Sequence, residues 1–152
     1  MRIDTLRQSG IIPDDSLEKT SVTVIGVGGI GSAATECLAK MGIPKMTIYD
    51  DDVVDTHNCA NQGYFINEIG YKKVEALGLR LSVGTGCEIS QRFGRVDELT
   101  DFNTKVVVSA VDSMKSRYAI WEALKMSTGV NYYVDGRMGA RAGYVYFVDL
   151  LN

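Results

Sequence analysis

One stretch limits what this chain can become: Val22-Thr23-Val24-Ile25-Gly26-Val27-Gly28-Gly29-Ile30-Gly31-Ser32, with the acidic residue Asp50 closing the next apolar run. Val22 to Val27 is short, apolar and β-branched, as a buried parallel strand requires, and Gly26, Gly28 and Gly31 stand at the G-x-G-x-x-G spacing. The first glycine permits a tight turn, the second lets backbone approach a phosphate with no Cβ in the way, and the third lets the following helix press on the strand. Unpaired N–H groups at the start of that helix then face an anion. An acidic side chain about 20 residues on, at the end of the second strand, is where a ribose hydroxyl finds its partner. The stretch predicts a strand, a glycine turn and a helix around a nucleotide, with Gly26, Gly28, Gly29 and Gly31 in the cradle and Asp50 on the ribose.

The rest of the chain extends that unit. Residues 1–20 mix polar and apolar side chains around Pro13-Asp14-Asp15-Ser16 and read as an N-terminal arm, with a short helix before the turn, outside the main sheet. Ile30 to Met41 carries an apolar stripe and ends at Gly42, so it is a helix, and Lys45 to Tyr49 is the second strand. Asp50-Asp51-Asp52 opens a long polar segment to about Asn67, read as a functional loop. Helical spacing returns over Glu68 to Ser82, with Gly84 and Gly86 ending it. Cys87 to Phe93 reads as a third strand, Val96 to Phe102 as a short connecting helix or turn, and Lys105 to Val111 as a buried fourth strand. Ser113 to Thr128 is the next helix, and Met114, Tyr118, Trp121, Leu124 and Lys125 are expected to form its core face. Asn131 to Val134 and Ala142 to Asp149 finish as strands. Strands alternating with helices predict an α/β, Rossmann-like, doubly wound and mainly parallel sheet with helices on both faces. Residues 21–152 would form that domain.

Composition narrows the partners. The 152 residues, 45% hydrophobic, suffice for one domain with a proper core. A formal net charge of -3, with no Lys/Arg block, argues against a nucleic-acid surface. No run is long and apolar enough for a membrane span, and the first ten residues lack a signal-peptide core, so a cytoplasmic protein is expected. Cys37, Cys59 and Cys87 never form a C-x-x-C pair, which speaks against a disulfide framework or a zinc knuckle.

An ordinary dinucleotide-binding half explains the glycines and Asp50. It gives no reason for Asp50-Asp51-Asp52-Val53-Val54 to be followed by Asn58 and Gln62, then by Gly70-Tyr71-Lys72-Lys73-Val74, and later by Val111-Asp112-Ser113 with Arg117. In this order the set resembles the ThiF/MoeB/HesA family, the adenylation domain shared by ubiquitin-activating enzymes and the bacterial molybdopterin-synthase and thiamine-biosynthesis adenylyltransferases. The resemblance runs over roughly residues 5 to 147. It implies an ATP-dependent adenylyltransferase that converts the C-terminal carboxylate of a small ubiquitin-like or sulfur-carrier protein into an acyl-adenylate. It assigns Gly28 and Gly31 to the cradle, Asp50 to the ribose, and Asn58 and Lys73 to phosphate. Asp112 would hold Mg2+, and Asp52 and Gln62 complete the nucleotide-binding set. It also implies a homodimer or heterodimer in which Arg7, on the arm, enters the partner's ATP site, so that Asp112, Lys73 and Arg7 form the catalytic group.

The chain departs from the family pattern at Asn58-Cys59-Ala60-Asn61-Gln62, where Asn61 stands in place of a phosphate-binding arginine. A neutral amide donates a hydrogen bond but supplies no charge. Family members also continue past the position of Asn152 into a zinc-binding cysteine set, a crossover loop and the carrier surface, so a minimal member, a divergent member and a fragment all fit. Taken singly, Lys73 reads as a solvated helix lysine, Asp112 as a helix N-cap and His57 as a surface loop residue; the joint order carries the functional reading. Two alternatives stand beside the enzyme: a catalytically weakened nucleotide-binding or regulatory subunit, and an NAD- or FAD-binding domain.

Overall fold

The computed structural model describes residues 3–151; Met1 and Arg2 of the predicted arm, and Asn152 at the end of the predicted domain, lie outside the described residues. The architecture is a six-stranded sheet with strands β1 (Ser21–Ile25), β2 (Lys45–Asp50), β3 (Glu88–Phe93), β4 (Val106–Ser109), β5 (Tyr132–Met138) and β6 (Gly143–Asp149). Their order across the sheet is β3-β2-β1-β4-β5-β6. The first five are parallel, and β6 returns antiparallel beside β5. Among the described residues four α-helices accompany them: α1 (Asp14–Glu18), α2 (Gly29–Lys40), α3 (Lys73–Thr85) and α4 (Met114–Met126).

Alternation along the central strands divides the core in two. Val22 and Val24 of β1, with Met46 and Ile48 of β2, join Ala39 of α2 and Val74, Leu77 and Leu81 of α3 in one apolar cluster. Ile25 points the other way and joins Val107, Tyr133 and the α4 residues Ile120, Ala123 and Leu124 in a second. Helices thus cover both faces, the doubly wound arrangement expected from the alternation of elements. The winding reverses between β1 and β4, which opens a crevice at their carboxyl ends, where sheets of this kind bind ligands. Among the described residues no helix is long and apolar enough to cross a membrane.

Several elements differ from the sequence reading for definable reasons. The arm carries the expected short helix before the proline, the 3-10 turn Leu6–Gln8, and adds α1 after it, with Pro13 as the N-cap, where the fixed φ and missing N–H cost nothing. Helix α3 begins at Lys73 and not at Glu68, because the intervening chain pairs back on the loop it left. Val53 bridges Lys72, the Val54 amide donates to the Tyr71 carbonyl at 2.8 Å, and Gly70 takes a φ of +90° to make the return. Gly84 lies inside the helix, and Gly86, left-handed at φ +75°, ends it. Val96 to Phe102 takes the second of its two expected forms, a turn. The fourth helix is rotated relative to the expected face: Met114, Tyr118, Trp121 and Lys125 are exposed, and of the predicted face only Leu124 is buried. The cause is Arg117, which points inward onto the buried Asp135 and sets Ile120, Ala123 and Leu124 as the buried side.

Candidate functional site

The glycine turn is shaped at the level of backbone. Gly26 has a φ of +82°, a left-handed conformation that disfavours any side chain. A Cβ on Gly31 would lie 1.8 Å from the Gly26 carbonyl oxygen, so the first turn of α2 seats directly on the end of β1. Over Gly28 the space is open; a Cβ there would meet nothing nearer than Gln62 Oε1 at 4.0 Å. The opening amides of α2 have no acceptor within the helix, and they point to this side.

Asp50 locks the turn. Its Oδ2 accepts the Val27 amide at 2.8 Å and its Oδ1 accepts the Asp52 amide at 2.9 Å, leaving each oxygen a lone pair for a further donor. Burial pushes this carboxyl up from its ordinary value, against the two amide bonds and the nearby Lys73 charge. A second brace comes from the loop: the buried Tyr64 hydroxyl donates to the Val27 carbonyl at 2.7 Å, and the Gly63 amide donates to Ser32 Oγ at 2.9 Å. Burial first, then the neighbouring carboxylates, push the Tyr64 phenol well up, so it remains a donor.

The loop leaves at Asp52 and returns at Lys73, whose amide donates to the Asp52 carbonyl at 3.0 Å. The Lys73 side chain is buried, and its Nζ lies 2.7 Å from Asp52 Oδ2. At such a distance the amine is charged-paired and fixed in direction, a compact cation at the start of α3. A cleft of about 300 Å³ sits over the strand ends, and its walls include Gly26, Gly28, Gly29, Asp50, Asp52, Gln62, Lys73 and Asp112.

Eight of the eleven residues predicted for the site therefore come together. Gly31 lies beneath the turn as a packing residue. Asn58 is buried and uses its Oδ1 to accept the Asp55 amide at 2.8 Å, closing the cap of the 3-10 turn Thr56–Ala60; it supports the loop and is absent from the cleft wall. Arg7 is exposed on the turn Leu6–Gln8. Its neighbour Gln8 bonds the Met41 carbonyl just past the end of α2, the full length of that helix, about 18 Å, from the glycine turn. Asn61 is exposed, and its carbonyl comes within 3.4 Å of where a Gly29 Cβ would stand. Its position therefore borders the cradle.

Sequence reasoning missed Tyr64, Arg95 and Asp135, and it did not pair the motif residue Arg117 with Asp135. Asp135 is buried and accepts from Ser109 Oγ at 2.7 Å, from Arg117 Nε at 3.1 Å and from Arg137 Nε at 2.6 Å. Burial alone would raise its pKa, but these three donors hold it below the ordinary carboxylate value. Its tie to the site is through Gly136, where a Cβ would press on Ile30 in the first turn of α2 at 3.2 Å. The charge alternation in Asp135-Gly136-Arg137 was the available signal.

The cleft suits a nucleoside triphosphate. Gly28 leaves room for phosphate against backbone, Lys73 supplies charge, and Gln62 Oε1 is buried with no partner. A turn of that amide would present its NH2 to an anion. Asp50, Asp51 and Asp52 have carboxylate oxygens within 4.8 Å of one another, but Asp52 is paired with Lys73 and Asp51 with Arg95. Asp112 is the exposed carboxylate on the facing wall. One carboxylate together with phosphate oxygens and waters is a common way to hold Mg2+.

Known proteins resemble this chain in sequence and in fold. Ubiquitin-like modifier-activating enzyme 5 of Caenorhabditis elegans is 29% identical over 165 aligned positions, covering 97% of this chain and 39% of that protein. The enzyme of the same name from Aedes aegypti is 27% identical, covering 97% and 42%. The chain thus spans about two fifths of the length of the curated relatives it matches. Among solved structures, E. coli tRNA N6-threonylcarbamoyladenosine dehydratase in complex with ATP superposes with a TM-score of 0.78 at 22% identity, over 91% of this chain and 60% of that one. E. coli MccB with ATP gives a TM-score of 0.70 at 20% identity, over 81% and 38%. At those identities the structural likeness speaks for the fold. The family is decided by the sequence profile: the ThiF family matches residues 5–146, from the arm into β6 and across every wall of the cleft, and the chain belongs to that family.

Proposed function

We propose that this chain is the nucleotide-binding unit of an ATP-dependent adenylyltransferase, acting on the C-terminal carboxylate of a small ubiquitin-like or sulfur-carrier protein in a cytoplasmic setting. The observation that carries the reading is the convergence on one cleft of the glycine turn, the Asp50 carboxylate, the Lys73 cation and, opposite, Asp112. The relatives named as ubiquitin-like modifier-activating enzymes support the substrate class.

The chemistry asks little of a general base. A carboxylate oxygen of the carrier attacks the α-phosphorus, the bond from that phosphorus to the bridging oxygen breaks, and pyrophosphate leaves with the electron pair; no proton moves. Gly28 and Gly29 present backbone to the phosphates. Lys73, held by Asp52, offsets phosphate charge, and Asp50 orients the sugar. Mg2+, when bound, neutralises charge on the phosphates, and Asp112 is the residue that would hold it. Rate enhancement then comes from positioning and charge compensation. Arg7 can act on a nucleotide only in another chain, given its place at the far end of α2; this is the part of the proposal that needs a homodimer or heterodimer.

The test is exchange of labelled pyrophosphate into ATP, with magnesium and a carrier ending in Gly-Gly. Exchange that vanishes in Asp112→Ala is the expected result, and no exchange with any such carrier would sink the enzymatic reading. One observation favours a second reading, a weakened or regulatory subunit: the neutral Asn61 beside Gly29 where the family pattern has arginine. ATP binding without exchange, with activity gained by Asn61→Arg, would choose it. The dinucleotide reading of the opening stretch gives way to the family assignment.

A further inference from the structure

No motif assigns a role to Arg95, yet it forms part of the cleft wall. It follows Gly94, whose φ of +146° and amide bond to the Asp50 carbonyl at 3.0 Å turn the chain back over the strand ends. Arg95 Nε then donates to Asp51 Oδ2 at 2.7 Å, with the arginine side chain 75% exposed. The result is a surface cation tethered at the rim, with its outer nitrogens and both faces of its plane unused by that bond.

Which part of a nucleotide lies beneath it follows from the groups already placed. The glycine turn and Lys73 take the phosphates, and Asp50, at the end of β2, takes the sugar. The base is left with the rest of the cleft, whose lining includes the apolar residues Ile25, Val96, Ala110, Val111 and Ile120 beside Tyr49 and Ser116. Arg95 adjoins Val96 in that wall. A ring lying there rests one face on aliphatic carbon and turns the other to solvent. The guanidinium is planar and weakly hydrated and stacks on π-faces, which an ammonium does far less well.

We infer that Arg95 is a base-binding residue: its guanidinium, steadied by Asp51, covers the open face of the purine ring at the apolar end of the cleft. The inference rests on the ATP reading above. It also distinguishes Arg95 from a replacement for the family arginine, since Asn61 borders Gly29 at the phosphate end.

The experiment compares ATP and adenosine as ligands, by calorimetry for the first and by competition for the second, in the wild-type chain, Arg95→Ala, Arg95→Lys and Asp51→Asn. Arg95→Ala and Arg95→Lys should weaken both ligands by the same factor, about 2- to 30-fold. Asp51→Asn should weaken both by less, and the melting temperature should stay put in all three variants. A loss for ATP with adenosine unaffected, or full retention by lysine, would mark a phosphate contact and overturn the inference. Unchanged binding of both ligands by Arg95→Ala would also overturn it, with the nucleotide site intact. Binding of neither ligand by the wild-type chain would remove the ATP reading itself, and this inference with it.

Discussion

The glycine turn after β1 and the β5–β6 hairpin touch at Ile30 and Gly136, yet they are held in different ways. In the turn, shape is set by backbone against backbone, and the braces from Asp50, Tyr64 and Ser32 reach main-chain groups. In the hairpin, the ladder from Tyr132–Asp149 to Met138–Gly143 is anchored by one buried carboxylate, while Tyr144, Tyr146 and Phe147 remain 59%, 49% and 64% exposed. Side chains can therefore vary along much of the hairpin, whereas the turn tolerates almost no added atom. The comparison teaches that the glycine end of the sheet derives its precision from the main chain, and that the flank beside it combines one ionic cluster with Tyr133 in the apolar core.

The hardest blow to the contrast is Gly31→Ala. With a methyl group 1.8 Å from the Gly26 oxygen, either α2 or the end of β1 must move, and the expected destabilisation exceeds about 4 kcal/mol, the range reserved for such clashes. Urea unfolding that shifted by under 1 kcal/mol would show that the turn is softer than described.

Next comes the hairpin's anchor. Asp135→Asn leaves Arg117, itself only 10% exposed, without its counter-charge, and should cost about 3 kcal/mol. The pH dependence has a definite sign. Because the folded-state pKa of Asp135 lies below the ordinary value, its contribution is complete above about pH 4 and disappears as pH falls through the folded value. Wild type should lose this stability in acid, and Asp135→Asn should lack that portion of the acid slope. Parallel stability–pH curves for the two proteins would contradict the assignment.

Tyr64→Phe is a finer probe of the turn. It leaves the Val27 carbonyl without its 2.7 Å donor and should destabilise by about 1–2 kcal/mol, with weaker ATP binding in calorimetry because the cradle loosens. The smallest effect is expected on the hairpin's surface: Tyr144→Lys should change unfolding free energy by no more than about 0.5 kcal/mol. A large loss there would mean that the exposed aromatics contribute to the fold after all.

How far the sequence could be read depended on the range of the interactions. The first strand, the glycine turn, the start of α2 and Asp50 were legible because each signal is local: β-branched run, glycine spacing, acidic strand end. The loop residues Asn58 and Gln62, Lys73 and Asp112 were placed by motif order, and the structure adds that Asn58 works as a cap at the loop's base. The rotation of α4 was not legible, since it depends on a buried arginine meeting Asp135 from another element, and periodicity scores Arg117 as an outward residue. Tyr64 and Arg95 were also hidden. Their neighbours in sequence are ordinary loop residues, and only the register of distant strands brings them to the turn and the rim.

The strand order carries a consequence for how the chain is made. On one side β1 pairs with β2, close behind it in sequence, but on the other side Val22 to Ile25 pair with Val106 to Ser109. During synthesis the first strand, its glycine turn and the second strand emerge long before β4, so one edge of β1 waits unpaired while most of the domain is translated. Such a non-local pairing slows folding and leaves an apolar strand edge open in the interim. Chains released before β4 emerges should therefore display the most buried strand of the domain, and ribosome-bound lengths ending before Val106 should be the most easily trapped by aggregation or cut by protease.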